Sequence, residues 1–291
     1  MKVLITGAGG MVARALAAHC TARGDEVFAH SRDTLDITQA DNVRAVFERE
    51  RPDTVINCAA WTDVDGCELN PERALLINAE AVEILASHSR LVEASFVTIS
   101  TDYVFDGDKE GFYTQRDDPE PQSAYGIAKL QGERRAARVS ARTVVVRSGW
   151  IFGAGGRNFL ATAVERARRG EHLKAISDAY GTPTYAPHLA ARLRELAELD
   201  LPGTFHVAGS GAGASFLEFA REAAKAAGAE GLEIESISMD SLQRPAPRPR
   251  NSRLRCLLSE AIGLAPLPDW RDALREFAKE DGEGVKGKGE R

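Results

Sequence analysis

The stretch Lys2-Val3-Leu4-Ile5-Thr6-Gly7-Ala8-Gly9-Gly10-Met11-Val12-Ala13 decides the fold of this chain. Its first half, Lys2–Thr6, reads as a strand, and a helical stretch, 11–23, begins directly after the glycines. Between them Gly7 permits a tight turn and Gly10 lets a pyrophosphate approach the backbone. Ala13, where many such turns carry a third glycine, is small enough for close helix–sheet packing. A pyrophosphate would then sit on the helix N-terminus, whose free N–H groups and dipole favour anions. An ordinary glycine-rich turn is the competing reading, and only the strand–helix context separates the two.

Outward from this turn the alternation continues. Strands are expected at 26–29, 54–57, 96–100 and 143–147, with helices at 41–51, 71–90 and 125–139. Strands alternating with helices imply βαβ units and a parallel sheet, and their continuous apolar character implies helices on both faces. After about residue 150 the rhythm loosens. Helices are expected at 158–169, 186–199, 215–227 and 270–280, with a short strand at 204–207 and a proline- and arginine-rich loop at 244–253. The expected fold is α/β: a Rossmann-type doubly wound parallel sheet with a smaller C-terminal α/β substrate domain. The dinucleotide-binding part covers 1–150 and receives later segments; 151–280 form the substrate part, and 281–291, rich in Gly and charge, are expected to be a disordered tail.

The 291 residues, 43% hydrophobic and 27% charged, make an ordinary globular mixture, and the formal charge of −6 argues against nucleic acid or an anionic membrane as partner. Apolar runs fall short of a membrane span and of a secretory signal, so a cytoplasmic setting is expected. The four cysteines, Cys20, Cys58, Cys67 and Cys256, form no C-x-x-C pair and have no histidine cluster beside them. They are expected to be free thiols, and no metal site is expected.

The end of the second strand selects among cofactors. NAD sites often carry an acid there for the ribose 2′-hydroxyl. Here His30-Ser31-Arg32 offers a hydroxyl and a guanidinium to a 2′-phosphate, which favours NADPH, while Asp33 close by leaves NADH open. Further on, Tyr125 and Lys129 stand four apart and share a helix face. Ser100-Thr101 ends a strand that reaches the same cleft. Reducing a ketone requires a hydride on carbon and a proton on oxygen. A tyrosine serves as acid–base group if a nearby cation stabilises its phenolate; Lys129 is placed to do so and to hold the nicotinamide ribose, and Thr101 to polarise the carbonyl. Y-x-x-x-K alone is common by chance; its pairing with the N-terminal turn makes it specific.

At these residues the chain resembles the extended short-chain dehydrogenase/reductases, and more closely the dTDP-4-dehydrorhamnose reductases. The resemblance runs over roughly 1–280 and is carried by Leu35-Asp36-Ile37-Thr38, by Asn57 to Glu68 and by Ser100-Thr101-Asp102-Tyr103-Val104-Phe105-Asp106-Gly107. Tyr125-Gly126 with Lys129, Arg147 to Gly153, Gly181-Thr182-Pro183-Thr184 and Arg248 to Leu254 add to it. It implies that Thr101, Tyr125 and Lys129 are catalytic, and that Gly7, Gly10, Met11 and Val12 hold the pyrophosphate. It places Asp36 and Ile37 beside the adenine and Ala59, Ala60 and Trp61 along the cofactor channel. Tyr103, Trp150 and Asn158 would face the sugar, and Arg253 would reach the nucleotide. Trp150 as plain core, Asn158 as a helix cap and Arg253 as a surface ion pair are the structural alternatives. The chain departs from the family at Trp61, usually Tyr, at Gly149, usually Ser, and at Ala179, where a Gln usually follows the Asp.

The implied activity is reduction of the 4-keto group of a dTDP-4-keto-6-deoxy sugar by NADPH, a small-molecule reaction with a homodimer left open. A dehydratase of the same superfamily carries Thr-Asp-Glu, and Tyr103 replaces that Glu. An epimerase would use the same Tyr and Lys but retain its nicotinamide. A non-catalytic dinucleotide-binding regulatory subunit would not need the intact Thr, Tyr and Lys.

Overall fold

The computed structural model describes residues 1–286, the side chains of 281–286 excepted. Its centre is a six-stranded, wholly parallel sheet. The strands are β1 (Lys2–Thr6), β2 (Glu26–His30), β3 (Thr54–Asn57), β4 (Ser95–Thr101), β5 (Thr143–Ser148) and a late arrival, Gly203–His206. Their order is β2-β1-β3-β4-β5 followed by the late strand, so the chain reverses its winding between β1 and β3. Open α/β sheets bind ligands in the crevice at such a reversal, beyond the carboxyl ends of the strands.

Both faces are covered. The helices α1 (Met11–Ala22) and, later in the chain, Ala186–Leu199 bury Leu16, Leu189, Leu193 and Leu196 against Val3, Ile5, Val144 and Val146. On the other face α2 (Ala40–Glu50) contributes Val43, Val46 and Phe47, and α5 (Ala81–Leu91) contributes Val82 and Leu85, against Leu4, Val55 and Phe96. Each such side chain is worth about 1.5–3 kcal/mol when fully buried, which holds the strand ends and their loops in place.

The 71–90 stretch is not one helix. It divides into α4 (Pro71–Leu75), a π-turn (Leu76–Glu80) and α5, and a short α3 (Val64–Leu69) precedes it. The reason is Asn78, whose amide bonds both backbone groups of Trp61 at 2.9 Å. Satisfying that loop requires an extra residue in the turn, and π-turns inside helices mark functional regions. Periodicity alone cannot reveal the insertion, because the apolar pattern continues through it.

The smaller part carries α7 (Phe159–Arg168), α9 (Phe216–Ala226) and a final helix, α11 (Trp270–Lys286), around Phe152, Tyr185, Phe219, Trp270 and Phe277. Paired short strands that the sequence reading leaves out lie here: Leu173–Ile176 with Ile234–Ile237, Tyr180–Gly181 with Ala214–Ser215, and Ile151–Phe152 with Thr184–Tyr185. Strands of two to four residues are too short for a periodicity to stand out. The final helix continues to Lys286, past Asp281, where the disordered tail is expected; once a helix is nucleated each added residue gains a hydrogen bond. The rest of that expected tail, 287–291, lies outside the described residues.

Candidate active site

The glycine turn sits at the carboxyl end of β1, at the β1/β3 reversal. Gly7 has φ +71°, and a Cβ there would lie 2.8 Å from the backbone nitrogen of Ala59, so both conformation and space demand glycine. Thr6 donates to Asn57 Oδ1 at 2.6 Å, and Asn57 donates to Thr98 at 3.1 Å, tying the ends of β1, β3 and β4 together. Gly10 is the N-cap of α1, with no side-chain cap and no acid in the first turn. The amides there are free of side-chain acceptors, which fits an anionic pyrophosphate. Met11 packs its sulfur near Gly153 and Gly156, and Val12 turns partly into the core, so these two bring backbone rather than side chain to the turn. Ala13 is buried against the sheet.

Beyond β2, Ser31 O accepts the amides of Thr34 and Leu35, which coils the segment into a turn. Arg32 is 76% exposed and 4.0 Å from Asp36, a loose pair that costs little to break. Asp36 is committed elsewhere: Thr38 donates to it from both hydroxyl (2.7 Å) and amide (3.0 Å), which holds its carboxyl below the usual range. Ile37 is buried in the core under α2. The second-strand end thus presents an exposed, loosely paired guanidinium, while His30 is taken up by Glu50 at 2.9 Å. At the end of β3, Ala59, Ala60 and Trp61 are half-buried, and the Arg73 guanidinium lies 4.5 Å over the Trp61 ring.

The structure brings Thr101, Tyr125 and Lys129 together. Thr101 ends β4. Tyr125 and Lys129 lie one turn apart on α6 (Ala124–Val139), whose start is pinned by the Ser123 hydroxyl accepting Gly126 N–H and by Glu68 accepting Ala124 N–H at 2.8 Å. Gly126 and Gly132 let this helix approach: a Cβ would lie 2.3 Å from Tyr103 O and 2.2 Å from Asn78 O respectively. Thr101 donates to Asp102 Oδ1 and accepts the Tyr103 amide, both at 3.1 Å. Thr101 thus directs its proton at Asp102, with the Tyr125 phenol close beside it.

The electrostatics differ from the expected phenolate arrangement. Burial pushes the Tyr125 phenol above its ordinary value, with the Thr101 bond opposing. Lys129 donates to Ile99 O at 2.6 Å rather than toward the phenol, and burial brings it down to about 8 against the pull of Glu133. Burial thus keeps Tyr125 a protonated phenol, the form a proton donor needs. Asp102 is buried too, raised to about 6 by desolvation, and its Oδ2 has no partner. Gly149 explains itself here: a Cβ would meet that carboxylate at 2.3 Å, leaving no room for the usual Ser.

Of the remaining residues named from the sequence, Tyr103 follows β4 on the sheet side, while Trp150, Asn158 and Arg253 come after β5. Tyr103 packs edge-on to Tyr125 with centroids 6.1 Å apart. Trp150, at φ +50°, stacks on Phe216 at 3.8 Å and covers Gly181. A bulky residue in left-handed backbone is strained, and such strain gathers at functional sites. Asn158 caps α7: it accepts Ala161 N–H and donates to Ile151 O, both at 2.8 Å, so its amide is occupied at both ends. Arg253 donates to Asn251 at 2.8 Å and lies 5.5 Å from the rings of both Phe112 and Tyr180, with no acid as partner among the described residues. The sequence reading misses Asn78 as an organiser of the Trp61 loop; an Asn inside a helical pattern, a poor helix former, is the signal that pointed to it.

A cavity of about 360 Å³ lies away from these groups, between α1 and the Ala186–Leu199 helix, lined by His19, Arg23, Arg192, Arg194, Glu195 and Glu198. Arg192 and Arg194 are already paired there, with Glu195 and with Asp25 and Glu198, so chemistry is read from the cleft rather than from this space. Among the described residues no helix is long and apolar enough to cross a membrane.

The family profile described as RmlD substrate binding domain matches residues 1–282. The dTDP-4-dehydrorhamnose reductase of Mycolicibacterium smegmatis is 38% identical over 278 residues, covering 94% of this chain and 84% of that protein. A probable dTDP-4,6-dihydroxy-2-methyloxan-3-one 4-ketoreductase of Streptomyces antibioticus is 37% identical over 278 residues, covering 95% and 94%. Among solved structures, dTDP-4-dehydrorhamnose reductase of Bacillus anthracis in complex with NADP superposes with a TM-score of 0.92 at 32% identity, covering 96% of this chain and 100% of that one. Similarity of this extent, across both the sheet and the smaller part, means that the chain belongs to the dTDP-4-dehydrorhamnose reductase family.

Proposed function

We propose that the protein reduces the 4-keto group of a dTDP-4-keto-6-deoxy sugar, dTDP-4-dehydrorhamnose or a close analogue, to the alcohol. The observation that carries this reading is the buried Tyr125 one turn from the buried Lys129 on α6, with Thr101 at the end of β4. The cofactor is NADPH, which when bound supplies the hydride to the carbonyl carbon. Gly7, Gly10 and the amides of Met11 and Val12 hold its pyrophosphate, Arg32 and Ser31 take the 2′-phosphate, Asp36 and Ile37 border the adenine, and Ala59, Ala60 and Trp61 line the channel.

Tyr125 gives its proton to the oxygen that becomes the hydroxyl, so hydride and proton together make the alcohol. Lys129, still cationic at neutral pH, favours the phenolate left behind and holds the ribose. Thr101 turns its proton from Asp102 to the substrate oxygen as negative charge develops there. Residues 151–280 bind the nucleotide-sugar, with Tyr103 and Trp150 at the sugar, Asn158 at its edge and Arg253 at the nucleotide. The same reading places the enzyme in the cytoplasm as a homodimer, which analytical ultracentrifugation checks. The activity test is incubation with NADPH and a dTDP-4-keto-6-deoxy sugar while absorbance of the reduced nicotinamide is followed. Stoichiometric loss of absorbance with formation of the reduced sugar is expected; sugar conversion without net loss would make it an epimerase.

A further inference from the structure

We propose that Asp65 and Arg248 tie the Pro/Arg-rich loop to α3 and thereby position Tyr103 at the sugar end of the cleft. The inference rests on the reductase reading above. Asp65 lies in the first turn of α3, just past the Trp61 loop. Its Oδ1 accepts Arg248 Nη1 at 2.7 Å and the amide of Ala246 at 3.2 Å, and Arg248 Nη1 also donates to Ala246 O at 2.7 Å. Arg248 is only 12% exposed. Asp65 is 35% exposed, so the pair is half-buried, and the added backbone bonds make it firmer than a lone surface pair.

The far end of Arg248 reaches the catalytic groups. Its positive charge lies close enough to the buried Tyr103 phenol to oppose the upward push of burial on it. Tyr103 in turn packs edge-on to Tyr125 and gives its amide to Thr101. Arg244 adds positive charge facing both Asp65 and Tyr103, and Asp102 faces Tyr103 from below. Pro249 closes the loop against Gly107, whose φ of +95° and absent side chain let the two backbones meet. The prolines limit the freedom of the loop, so one ion pair suffices to set its position. From α3 the tie therefore runs through the loop to Gly107 and to the Tyr103 phenol beside the proton donor. Arg248 is a positioning residue that acts through Tyr103, and the cofactor end of the cleft, on β1 and β2, lies off this path.

The test uses the full chain with Asp65→Asn, Arg248→Lys and Tyr103→Phe, alone and combined. Wild-type turnover is measured first; its absence defeats the reductase reading, and hydrogen exchange then tests the tie alone. Expected are a rise of about 10-fold in KM for the sugar nucleotide in Asp65→Asn and Arg248→Lys, with NADPH affinity unchanged. Amide exchange across 241–254 should accelerate in Asp65→Asn, because the Ala246 amide loses its carboxylate. In the Tyr103→Phe background the two substitutions should add little further. Unchanged KM and exchange, or full additivity on Tyr103→Phe, would overturn the proposal. So would a joint fall in melting temperature and NADPH affinity, which a purely structural pair produces.

Discussion

At the scale of single residues, the clearest demands come from charge and burial. Arg32 is an exposed, only loosely paired guanidinium at the β2 end, so Arg32→Ala should raise the KM for NADPH while leaving NADH nearly unchanged. Equal losses for both would show that it does not read the phosphate. Tyr125→Phe keeps the buried ring and removes the proton, and should cost at least about 10²-fold in kcat with cofactor affinity retained. Steady-state kinetics and a cofactor titration check it. Asp102 yields a pH prediction with a definite sign. Its carboxyl goes from 3.8 to about 6 on folding, so between these values the folded state holds a proton that the unfolded state has released. Stability therefore falls as pH rises through this window and carries the full cost above it. Asp102→Asn should stabilise at neutral pH by up to about 3 kcal/mol, at 1.36 kcal/mol per pKa unit. The gain should fade toward pH 4, as denaturant melts at a series of pH values would record; a constant gain would show that the charge is not the cause.

At the scale of elements, α6 does several things at once. One face carries Tyr125, Lys129 and Glu133, the last pairing with Arg147 at 2.7 Å in a buried salt bridge. Another face carries Gly126 and Gly132, which bring the helix against Tyr103 and the π-turn. Gly132→Ala would push a methyl into Asn78 O, a backbone atom that cannot swing aside. It should cost about 1–3 kcal/mol and loosen the Trp61 loop, seen as a lower melting temperature together with weaker cofactor binding. A neutral effect would mean that the π-turn shifts freely. The helix itself was legible in the sequence, as were Tyr125 and Lys129 on one face, because spacing of four on a helix is a local fact. The π-turn was not: Asn78 adopts its place only because Trp61, 17 positions earlier, needs both its backbone groups satisfied.

At the scale of the whole molecule, the cleft is made where the chain passes from the sheet to the smaller part, and Trp150 stands at that passage. Trp150→Ala should lower kcat/KM for the sugar nucleotide by roughly 10- to 10³-fold, about 1–4 kcal/mol. Its stack on Phe216 adds a second consequence, a stability loss that Trp150→Phe should largely restore, since aromatic pairs contribute about 0.5–1.5 kcal/mol. Melting temperatures and sugar kinetics on both variants separate these effects. Full recovery of activity in Trp150→Phe would reduce the indole to packing alone.

The sequence by itself determined the parallel sheet, the glycine turn and the family of chemistry. These depend on local periodicity, on a backbone conformation only glycine tolerates at Gly7, and on motifs a few residues long. The guanidinium at Arg32 and the shared face of Tyr125 and Lys129 were legible for the same reason. Only the tertiary structure decided which of the named groups carry charge or proton, and what they touch. Tyr125 is pushed further toward the phenol form because it is buried beside Asp102, Tyr103 and Cys67. Asn158 is a cap, and Gly149 is glycine because the Asp102 carboxylate fills the space where its side chain would be. Such facts rest on desolvation and on contacts between residues far apart in sequence, and neither leaves a trace in the spacing of residues along the chain.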